Sequence, residues 1–217
     1  MSKNETENSR AKEARAEILR AVAALGRGEV IVFPTETLYG LGADALQPAA
    51  VDRVFQLKGR DPNNPIPVLI SDRAMLFTVV AHVPPIAEKL IGRFWPGPLT
   101  IVLPARSDIP RPLMNANGGI GVRVSSGPFA TELVQGLGRP ITATSANPSG
   151  QPPARTAQQA KKYFSGRIDI FLDGGRLGSE MGSTVIEITG DALRIVRAGE
   201  IDRSQLEAVL GTEAILS

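Results

Sequence analysis

The sequence contains no cysteine and a single histidine, His82. Without cysteine the chain has no disulfide bond, no thiolate zinc site and no cysteine nucleophile. A single histidine cannot build a multi-histidine metal site. No G-x-S-x-G serine elbow accompanies His82, which argues against classical triad hydrolysis. The chemistry of the chain therefore has to be sought among other residue types.

Long apolar runs are also missing, since none approaches the roughly 18 residues that a membrane-spanning helix requires. The N-terminal segment is polar and carries acidic residues early, so it resembles neither a secretory signal nor an Arg-rich transit peptide. The absence of cysteine suits a reducing compartment. We therefore expect a cytoplasmic protein with no membrane segment.

The common nucleotide-binding motifs are absent as well. The sequence has no Walker GxxxxGK[ST] and no GxGxxG between a strand and a helix. The glycine-rich stretch 174–184 precedes a predicted strand, so it lacks the helix N-terminus that cradles phosphate in such motifs. Any nucleotide would have to be held by Lys and Arg side chains, hydroxyls and loop N–H groups.

What is present is an ordinary globular composition with an uneven charge distribution. The 217 residues are 42% hydrophobic and 21% charged, which is typical of one sizeable domain. The formal net charge is +2, but residues 93–168 carry +7 and residues 169–217 carry −5. The basic segment indicates either a solvated surface or a face that attracts nucleotide phosphates or RNA.

Hydrophobic periodicity and turn residues predict alternating helices and strands, followed by several strands in close succession. We expect a single α/β domain with a twisted, open, mixed sheet flanked by helices. The predicted boundaries are a flexible tail over 1–12, the domain over 13–203, and a C-terminal helix and tail over 204–217. The predicted helices cover 11–25, 48–58, 84–94, 129–137, 156–164 and a segment capped by Ser204 and Glu207. The predicted strands cover 30–33, 66–70, 100–103, 121–124, 141–144, 168–172, 184–189 and 193–196.

Two clusters of polar residues follow predicted elements in the N-terminal half. Thr35, Glu36, Thr37 and Tyr39 come directly after a buried strand, where they either close a tight turn or bind a small polar substrate. Lys58 ends a predicted helix, where a cation is favourable in any case. Arg60 lies beyond the glycine cap in a loop with Asn64, and a guanidinium there suits bidentate contact with phosphate or carboxylate.

Two further clusters occur in the C-terminal half. Ser145 and Asn147 follow a predicted strand, and their spacing of two places both side chains on one side of an extended chain. Arg123 lies inside a predicted buried strand, and Arg197 lies in a strand predicted to adjoin Ser183. Buried arginines require an anionic partner, either an internal carboxylate, which the sequence alone slightly favours, or a bound anion.

The sequence resembles the YrdC-like threonylcarbamoyl-AMP synthase family, in its single-domain branch. The resemblance covers about residues 18–201, and as an ordered set its motifs are highly specific. The motifs, in chain order, are PTETLYGLGADA, KGR with NNP, WPGPLTIVLP, GVRV, TSANPSG, GSTVIE and VRAGEI.

The resemblance implies an open α/β sheet with a basic concave cavity. It also implies synthesis of threonylcarbamoyl-AMP from L-threonine, bicarbonate or CO2, and ATP, with release of pyrophosphate. Mg²⁺ would accompany the ATP phosphates, and no protein metal ligand is expected. Another enzyme would then transfer the threonylcarbamoyl group of the product to adenosine 37 of tRNA and release AMP. A transferase complex, and possible contact with tRNA, are the implied partners.

The resemblance also implies roles for individual residues. Lys58 and Arg60 would be catalytic, and the threonine and carbamate pocket would use Thr35 or Thr37, Arg123 and Ser183. The ATP site would be formed by Lys58, Arg60, Asn64, Ser145, Asn147 and Arg197. Such a set agrees with the chemistry, because a cluster of cations lets a carbamate anion approach an anionic triphosphate.

Three departures from the family pattern bear on substrate binding. Asp61 replaces the usual proline after the KGR motif, which puts a negative charge beside the expected phosphate site. Leu69 replaces a histidine seen in some relatives. The pattern V-R-V-P-x-H-P ends here as Ser125-Ser126-Gly127-Pro128.

Two alternatives remain open beside the synthase. The chain could be a non-catalytic RNA-binding module that uses its basic middle third, with salt-sensitive affinity and no ATP turnover. It could also be a paralogue that carries out carbamoyl or adenylyl transfer on another substrate. The hydroxyl and amide set of Ser145 and Asn147 favours the synthase over RNA binding, and only substrate tests separate it from a paralogue.

Overall fold

The computed structural model describes residues 3–216, with side chains from Lys12 onward. Helices and strands alternate through most of that range. The α-helices in chain order are α1 Lys3–Gly26, α2 Pro48–Lys58, α3 Arg73–Leu76, α4 Pro85–Phe94, α5 Pro128–Leu137, α6 Ala157–Phe164 and α7 Arg203–Leu210. The strands are β1 Ile31–Pro34, β2 Tyr39–Gly42, β3 Val68–Leu69, β4 Leu99–Pro104, β5 Gly119–Arg123, β6 Ile141–Thr142, β7 Thr144–Ser145, β8 Thr184–Thr189 and β9 Ala192–Arg197.

The strands form two sheets instead of the single sheet predicted. The larger has the order β6-β3-β5-β4-β8-β9 and is mixed, because β3 runs parallel to β5, and β4 parallel to β8, while the other pairs are antiparallel. The smaller is antiparallel, with the order β1-β2-β7. The predicted class, a mixed α/β sheet flanked by helices, is confirmed. The break between β6 and β7 at Ala143 transfers the chain from one sheet to the other.

Several predicted elements are confirmed with their end signals. Helix α2 has the predicted bounds, and Gly59 ends it in the left-handed conformation that a glycine cap adopts. Thr156 caps α6 by accepting a hydrogen bond from the backbone N–H of Gln159. Strand β8 also has the predicted bounds.

Other predicted boundaries are wrong. Helix α1 begins at Lys3 instead of 11 and so includes most of the predicted tail, because that segment is rich in Glu, Lys, Arg and Ala, which favour helix. Helix α7 is capped by Asp202 with Gln205, not by Ser204 with Glu207. The predicted strand 168–172 forms only a single bridge to β1, through Phe171. The flexibility of the tail stays a prediction, and Met1 and Ser2 lie outside the described residues.

The apolar core lies between the sheets and the helices that cover them. Helix α1 packs on α5 and β1, where Leu25, Phe33 and Leu133 are fully buried. Leu69 is 1% exposed and belongs to this cluster. The position that carries histidine in some relatives is therefore part of the core in this chain. Among residues 3–216, no helix is long and apolar enough to cross a membrane.

Candidate functional site

Two adjoining cavities lie at the larger sheet, the first where β5 and β9 end and the second along one face of β4, β5, β8 and β9. The first has a volume of about 320 Å³, the second about 400 Å³, and Arg60, Pro67 and Arg197 line both. Eight of the ten predicted site residues line them. Those in the first cavity are Thr35, Thr37, Arg60, Arg123, Ser145, Ser183 and Arg197, and the second adds Asn64. Lys58 and Asn147 do not line either cavity.

Three guanidinium groups converge at these cavities. Burial lowers the pKa of Arg197, and the positive charges of Arg123 and Arg60 lower it further. Burial also lowers the pKa of Arg60. Mutual repulsion of this kind arises only when the cationic groups lie close together. Three of the four predicted cations, Arg60, Arg123 and Arg197, therefore share one location, and Lys58 lies outside the cavity linings.

The three arginines differ in how their charge is balanced. Arg123 Nη1 donates to Glu36 Oε1 at 2.5 Å, and Ser125 Oγ donates to the other carboxylate oxygen. Arg197 instead donates through Nη2 to Ser183 O at 2.7 Å and Ser183 Oγ at 3.1 Å. Within residues 12–216, neither Arg60 nor Arg197 forms an ion pair. The expected internal carboxylate is thus confirmed for Arg123. It is wrong for Arg197, which is exposed and needs no internal partner, so that its charge is available to a bound anion.

The two threonines after β1 form a hydrogen-bonded turn that also borders the first cavity. Thr35 Oγ1 donates to Leu38 O at 2.8 Å and accepts from the backbone N–H groups of Thr37 and Leu38. The hydroxyls of Thr35 and Thr37 lie 3.1 Å apart. The turn and binding interpretations are therefore compatible, because the hydrogen bonds that close the turn also fix the two hydroxyls at the cavity wall.

Lys58 supports the lining of the first cavity without being part of it, because it binds the backbone of Ser145. Its Nζ donates to Ser145 O at 2.6 Å and to Asn147 O at 2.7 Å, which joins the end of α2 to β7 and the loop after it. Burial, and then the charge of Arg60, lower the pKa of Lys58 to about 7. Direct contact of Lys58 with ATP stays a prediction, and its position between two carbonyls makes it a support for Ser145.

Asn147 lies in the loop after β7 and has one polar atom unpaired. Its Nδ2 donates to Pro148 O at 3.0 Å and Gln151 O at 2.6 Å. Its Oδ1 is buried and has no hydrogen-bond partner among the described residues. Because Asn147 does not line either cavity, its contact with ATP stays a prediction.

The loop after α2 keeps the Asp61 carboxylate off the cavity lining. Arg60 Nε donates to Asn64 O at 2.7 Å, and its Nη2 donates to Pro65 O at 3.2 Å. Asp61 Oδ1 accepts from the backbone and side-chain amides of Asn63. Asp61 forms no ion pair with Arg60 within residues 12–216, and the effect of this departure on phosphate binding stays a prediction.

Thr100 was missed from the sequence, and so were the internal contacts that Glu36 and Tyr39 make at the site. Glu36 balances Arg123, and Thr100 Oγ1 lies 2.8 Å from Ser183 Oγ. Tyr39 donates to Gly175 O at 2.7 Å and so holds the glycine-rich segment against β2. Glu36 and Thr100 lie inside the motifs PTET and WPGPLT, so their place in those motifs was the available signal. Among residues 12–216, no group of three or more acidic or histidine side chains could hold a metal ion.

A family model described as telomere recombination, Sua5_yciO_yrdC, matches residues 23–199. The chain belongs to the Sua5/YciO/YrdC family. Among its relatives, a Bacillus subtilis protein named threonylcarbamoyl-AMP synthase is 39% identical over 196 residues, which are 90% of this chain and 57% of the relative. A Mycobacterium tuberculosis protein named putative threonylcarbamoyl-AMP synthase is 35% identical over 197 residues, which are 91% of this chain and 90% of the relative.

Solved structures of the Sua5/YciO/YrdC family confirm the fold. Sua5 of Pyrococcus abyssi complexed with L-threonine has a TM-score of 0.87 at 38% identity, with 92% of this chain and 58% of that chain covered. YciO of Escherichia coli has a TM-score of 0.80 at 29% identity, with 89% and 93% covered. The chain spans a little over half the length of the Bacillus subtilis and Pyrococcus abyssi relatives that it matches.

Proposed function

We propose that the chain synthesises L-threonylcarbamoyl-AMP from L-threonine, bicarbonate or CO2, and ATP, with release of pyrophosphate. The observation that carries this proposal is the convergence of Arg60, Arg123 and Arg197 on two adjoining cavities. Only one of the three, Arg123, has a carboxylate partner among the described residues. The names of the relatives and the L-threonine complex of Pyrococcus abyssi Sua5 support the choice of substrates.

The proposed reaction has to bring two anions together. The threonine amine adds to CO2 and loses a proton, which gives a carbamate. A carbamate oxygen then forms a bond to the α-phosphorus of ATP, and the bond from that phosphorus to pyrophosphate breaks. Two unit charges about 4 Å apart repel by about 4 kcal/mol at an effective dielectric constant of about 20. Fixed guanidinium groups offset that repulsion, and holding the reactants in place supplies further rate enhancement.

We assign ATP to the side of the site that both cavities share. Arg60 and Arg197 line both cavities and are free of carboxylates within the described residues, so they would contact the phosphates. Asn64 and Ser145 flank them. Mg²⁺ would be bound by the ATP phosphates and water, because the cavities offer hydroxyls and guanidiniums but no group of carboxylates.

We assign threonine to the deeper part of the first cavity. Arg123 has Nη1 on Glu36, while its Nε and Nη2 have no hydrogen-bond partner among the described residues. Those two donors would hold the carboxylate or the carbamate of the substrate. Ser183 and the turn of Thr35 and Thr37 supply hydroxyls to the same cavity.

The mixed anhydride product would be consumed by a second enzyme. A threonylcarbamoyl-AMP is an activated acyl donor, so an amine of an RNA base is a suitable acceptor. We propose that a transferase complex passes the threonylcarbamoyl group to adenosine 37 of tRNA, with release of AMP. We also propose that the chain works in the cytoplasm. The basic segment 93–168 would favour an encounter with tRNA.

A pyrophosphate assay tests the proposal. Purified protein with Mg-ATP, L-threonine and bicarbonate should release pyrophosphate, and omission of L-threonine should abolish the release. Mass spectrometry should detect threonylcarbamoyl-AMP. Release that does not depend on threonine would instead favour a paralogue with another substrate. No release, combined with salt-sensitive binding of RNA, would favour the RNA-binding module.

A further inference from the structure

Thr100 occupies a position in the larger sheet between the two arginines at the ends of the site. Strand β4, which carries Thr100, lies between β5 and β8, and β8 pairs with β9. Thr100 is opposite Val185, and Val185 is opposite Arg197. On the other side, the β4–β5 ladder ends with Ile101 opposite Val122, the residue before Arg123. Thr100 is 1% exposed, so its hydroxyl has to find its partner inside the protein.

That partner is the hydroxyl of Ser183. Thr100 Oγ1 lies 2.8 Å from Ser183 Oγ, and no other hydrogen bond of the Thr100 side chain occurs among the described residues. Ser183 Oγ also accepts a hydrogen bond from Arg197 Nη2 at 3.1 Å. Ser183, 6% exposed, borders the first cavity together with Arg123.

The capacity of a hydroxyl group fixes the direction of these bonds when an anion is bound. A serine oxygen has one proton to donate and two acceptor positions. Arg197 fills one acceptor position of Ser183. If the Ser183 hydroxyl donates its proton to a bound anion, it cannot also donate to Thr100. Thr100 Oγ1 must then donate to Ser183 Oγ, at the second acceptor position of that oxygen. Both acceptor positions are then filled, and Ser183 can act toward the ligand only as a donor.

We infer that Thr100 is a positioning residue that directs the Ser183 hydroxyl proton toward the anionic group of the substrate amino acid. The inference deepens the proposed function and rests on it. Thr100 also lines the second cavity, but its hydroxyl is engaged with Ser183 and acts on the amino acid through it. The hydroxyl of Thr100 is therefore required for L-threonine binding, whereas its methyl group, which lies near Gly121, has no part in it.

Thr100→Val tests the inference, because valine keeps the shape of threonine and removes the hydroxyl. The Kd for L-threonine, measured by calorimetry, and the KM for L-threonine should both rise about tenfold, the usual effect of one lost hydrogen bond near a charged group. The KM for ATP should stay within about twofold of the wild type. Thr100→Ser keeps the hydroxyl and should bind L-threonine like the wild type, which a purely structural role of the side chain would not predict.

A double-mutant cycle with Ser183→Ala shows whether Thr100 acts through Ser183. In the Ser183→Ala background, Thr100→Val should change L-threonine affinity by less than about twofold. An equal loss in both backgrounds, or wild-type affinity for Thr100→Val, would overturn the inference. Thermal unfolding checks that the variants fold, and Thr100→Ala replaces Thr100→Val in the cycle if the valine variant does not.

Different measurements separate a failure of this inference from a failure of the proposed function. Calorimetric binding of L-threonine needs no turnover, so it tests Thr100 even in protein that releases no pyrophosphate. A wild type that binds L-threonine without releasing pyrophosphate contradicts the proposed synthase while the cycle still tests Thr100. A wild type that does not bind L-threonine overturns both.

Discussion

Glu36 Oε1 accepts a hydrogen bond from Arg123 Nη1 at 2.5 Å and so joins the turn after β1 to the end of β5. The two side chains are 17% and 6% exposed. The pair fixes one nitrogen of the guanidinium, while Nε and Nη2 stay without a partner among the described residues. A carboxylate outside the two cavity linings thereby orients a cation that borders the first cavity.

Glu36→Gln should destabilise the fold strongly, because it leaves the Arg123 charge buried without a counter-charge. Removal of one partner of a buried ion pair typically costs about 3–5 kcal/mol. Glu29→Gln is the matched control, since Glu29 accepts from Arg27 at 2.6 Å with both side chains largely exposed. An exposed pair contributes about 0–1 kcal/mol. Urea unfolding compares the two, and equal losses would contradict the buried pair.

Arg60→Ala should weaken ATP binding, because it removes a guanidinium that lines both cavities. Loss of charge-assisted hydrogen bonds worth about 1.5–3 kcal/mol raises the KM for ATP by about 10–150-fold. Arg53→Ala, an exposed position on α2, should leave that KM unchanged. Steady-state pyrophosphate release at varied ATP measures both, and a wild-type KM for Arg60→Ala would contradict its assignment to the phosphates.

The sequence predicted the elements whose ends are set by neighbouring residues. Helix α2 has the predicted bounds because Pro48 and Gly59 mark its two ends through backbone geometry alone. Strand β2 was missed, because its residues Tyr39–Gly42 include two glycines and read as a turn. The strand pairs with its neighbour β1 over four residues, and with β7, about a hundred residues further along the chain, over two. The second pairing leaves no local signature, and the glycines conceal the first.

The sequence predicted which residues lie at the candidate site, but it did not predict which partners they contact. The four predicted cations do gather, because their motifs lie where strands or helices end. Which of them finds a carboxylate depends on tertiary packing. The sequence does not distinguish Arg123, which meets Glu36, from Arg197, which meets the carbonyl of Ser183. For the same reason Lys58 was expected at the nucleotide and lies against two backbone carbonyls.

Gly127→Ala should disturb the first cavity, because a Cβ atom there would lie 3.0 Å from Glu36 N and 3.1 Å from Thr35 C. The backbone of Gly127 has an ordinary φ of −74°, so the close approach alone requires glycine. Overpacking of this kind costs about 1–3 kcal/mol, and displacement of Thr35 should also raise the KM for L-threonine.

Gly92→Ala is the control for Gly127→Ala, because a Cβ atom at Gly92 would meet nothing within 4 Å. Gly92 lies in helix α4, where alanine is favoured over glycine by about 0.5–1 kcal/mol. The two substitutions should therefore shift the free energy of unfolding in opposite directions. A Gly127→Ala variant that is as stable as Gly92→Ala would mean that the turn after β1 does not pack against the start of α5.

Lys58 should make the stability of the protein increase with pH above neutrality. Burial, and then Arg60, lower its pKa from 10.5 in the unfolded chain to about 7 in the folded protein. Between these values the unfolded chain binds the proton and the folded protein has released it. Since the unfolded state then binds more protons, the free energy of unfolding rises with pH across this interval, by up to about 1.4 kcal/mol per pH unit.

The comparison of the wild type with Lys58→Met isolates this effect, because methionine has a similar length and does not titrate. Urea unfolding between pH 7 and pH 9.5 should show the wild type gaining stability relative to Lys58→Met as the pH rises. Lys89→Met, which removes an exposed lysine from α4, controls for the loss of a lysine as such. Profiles that run parallel in the wild type and Lys58→Met would mean that Lys58 keeps its proton. Because a neutral amine still has two N–H groups, the bonds to Ser145 O and Asn147 O should survive that deprotonation.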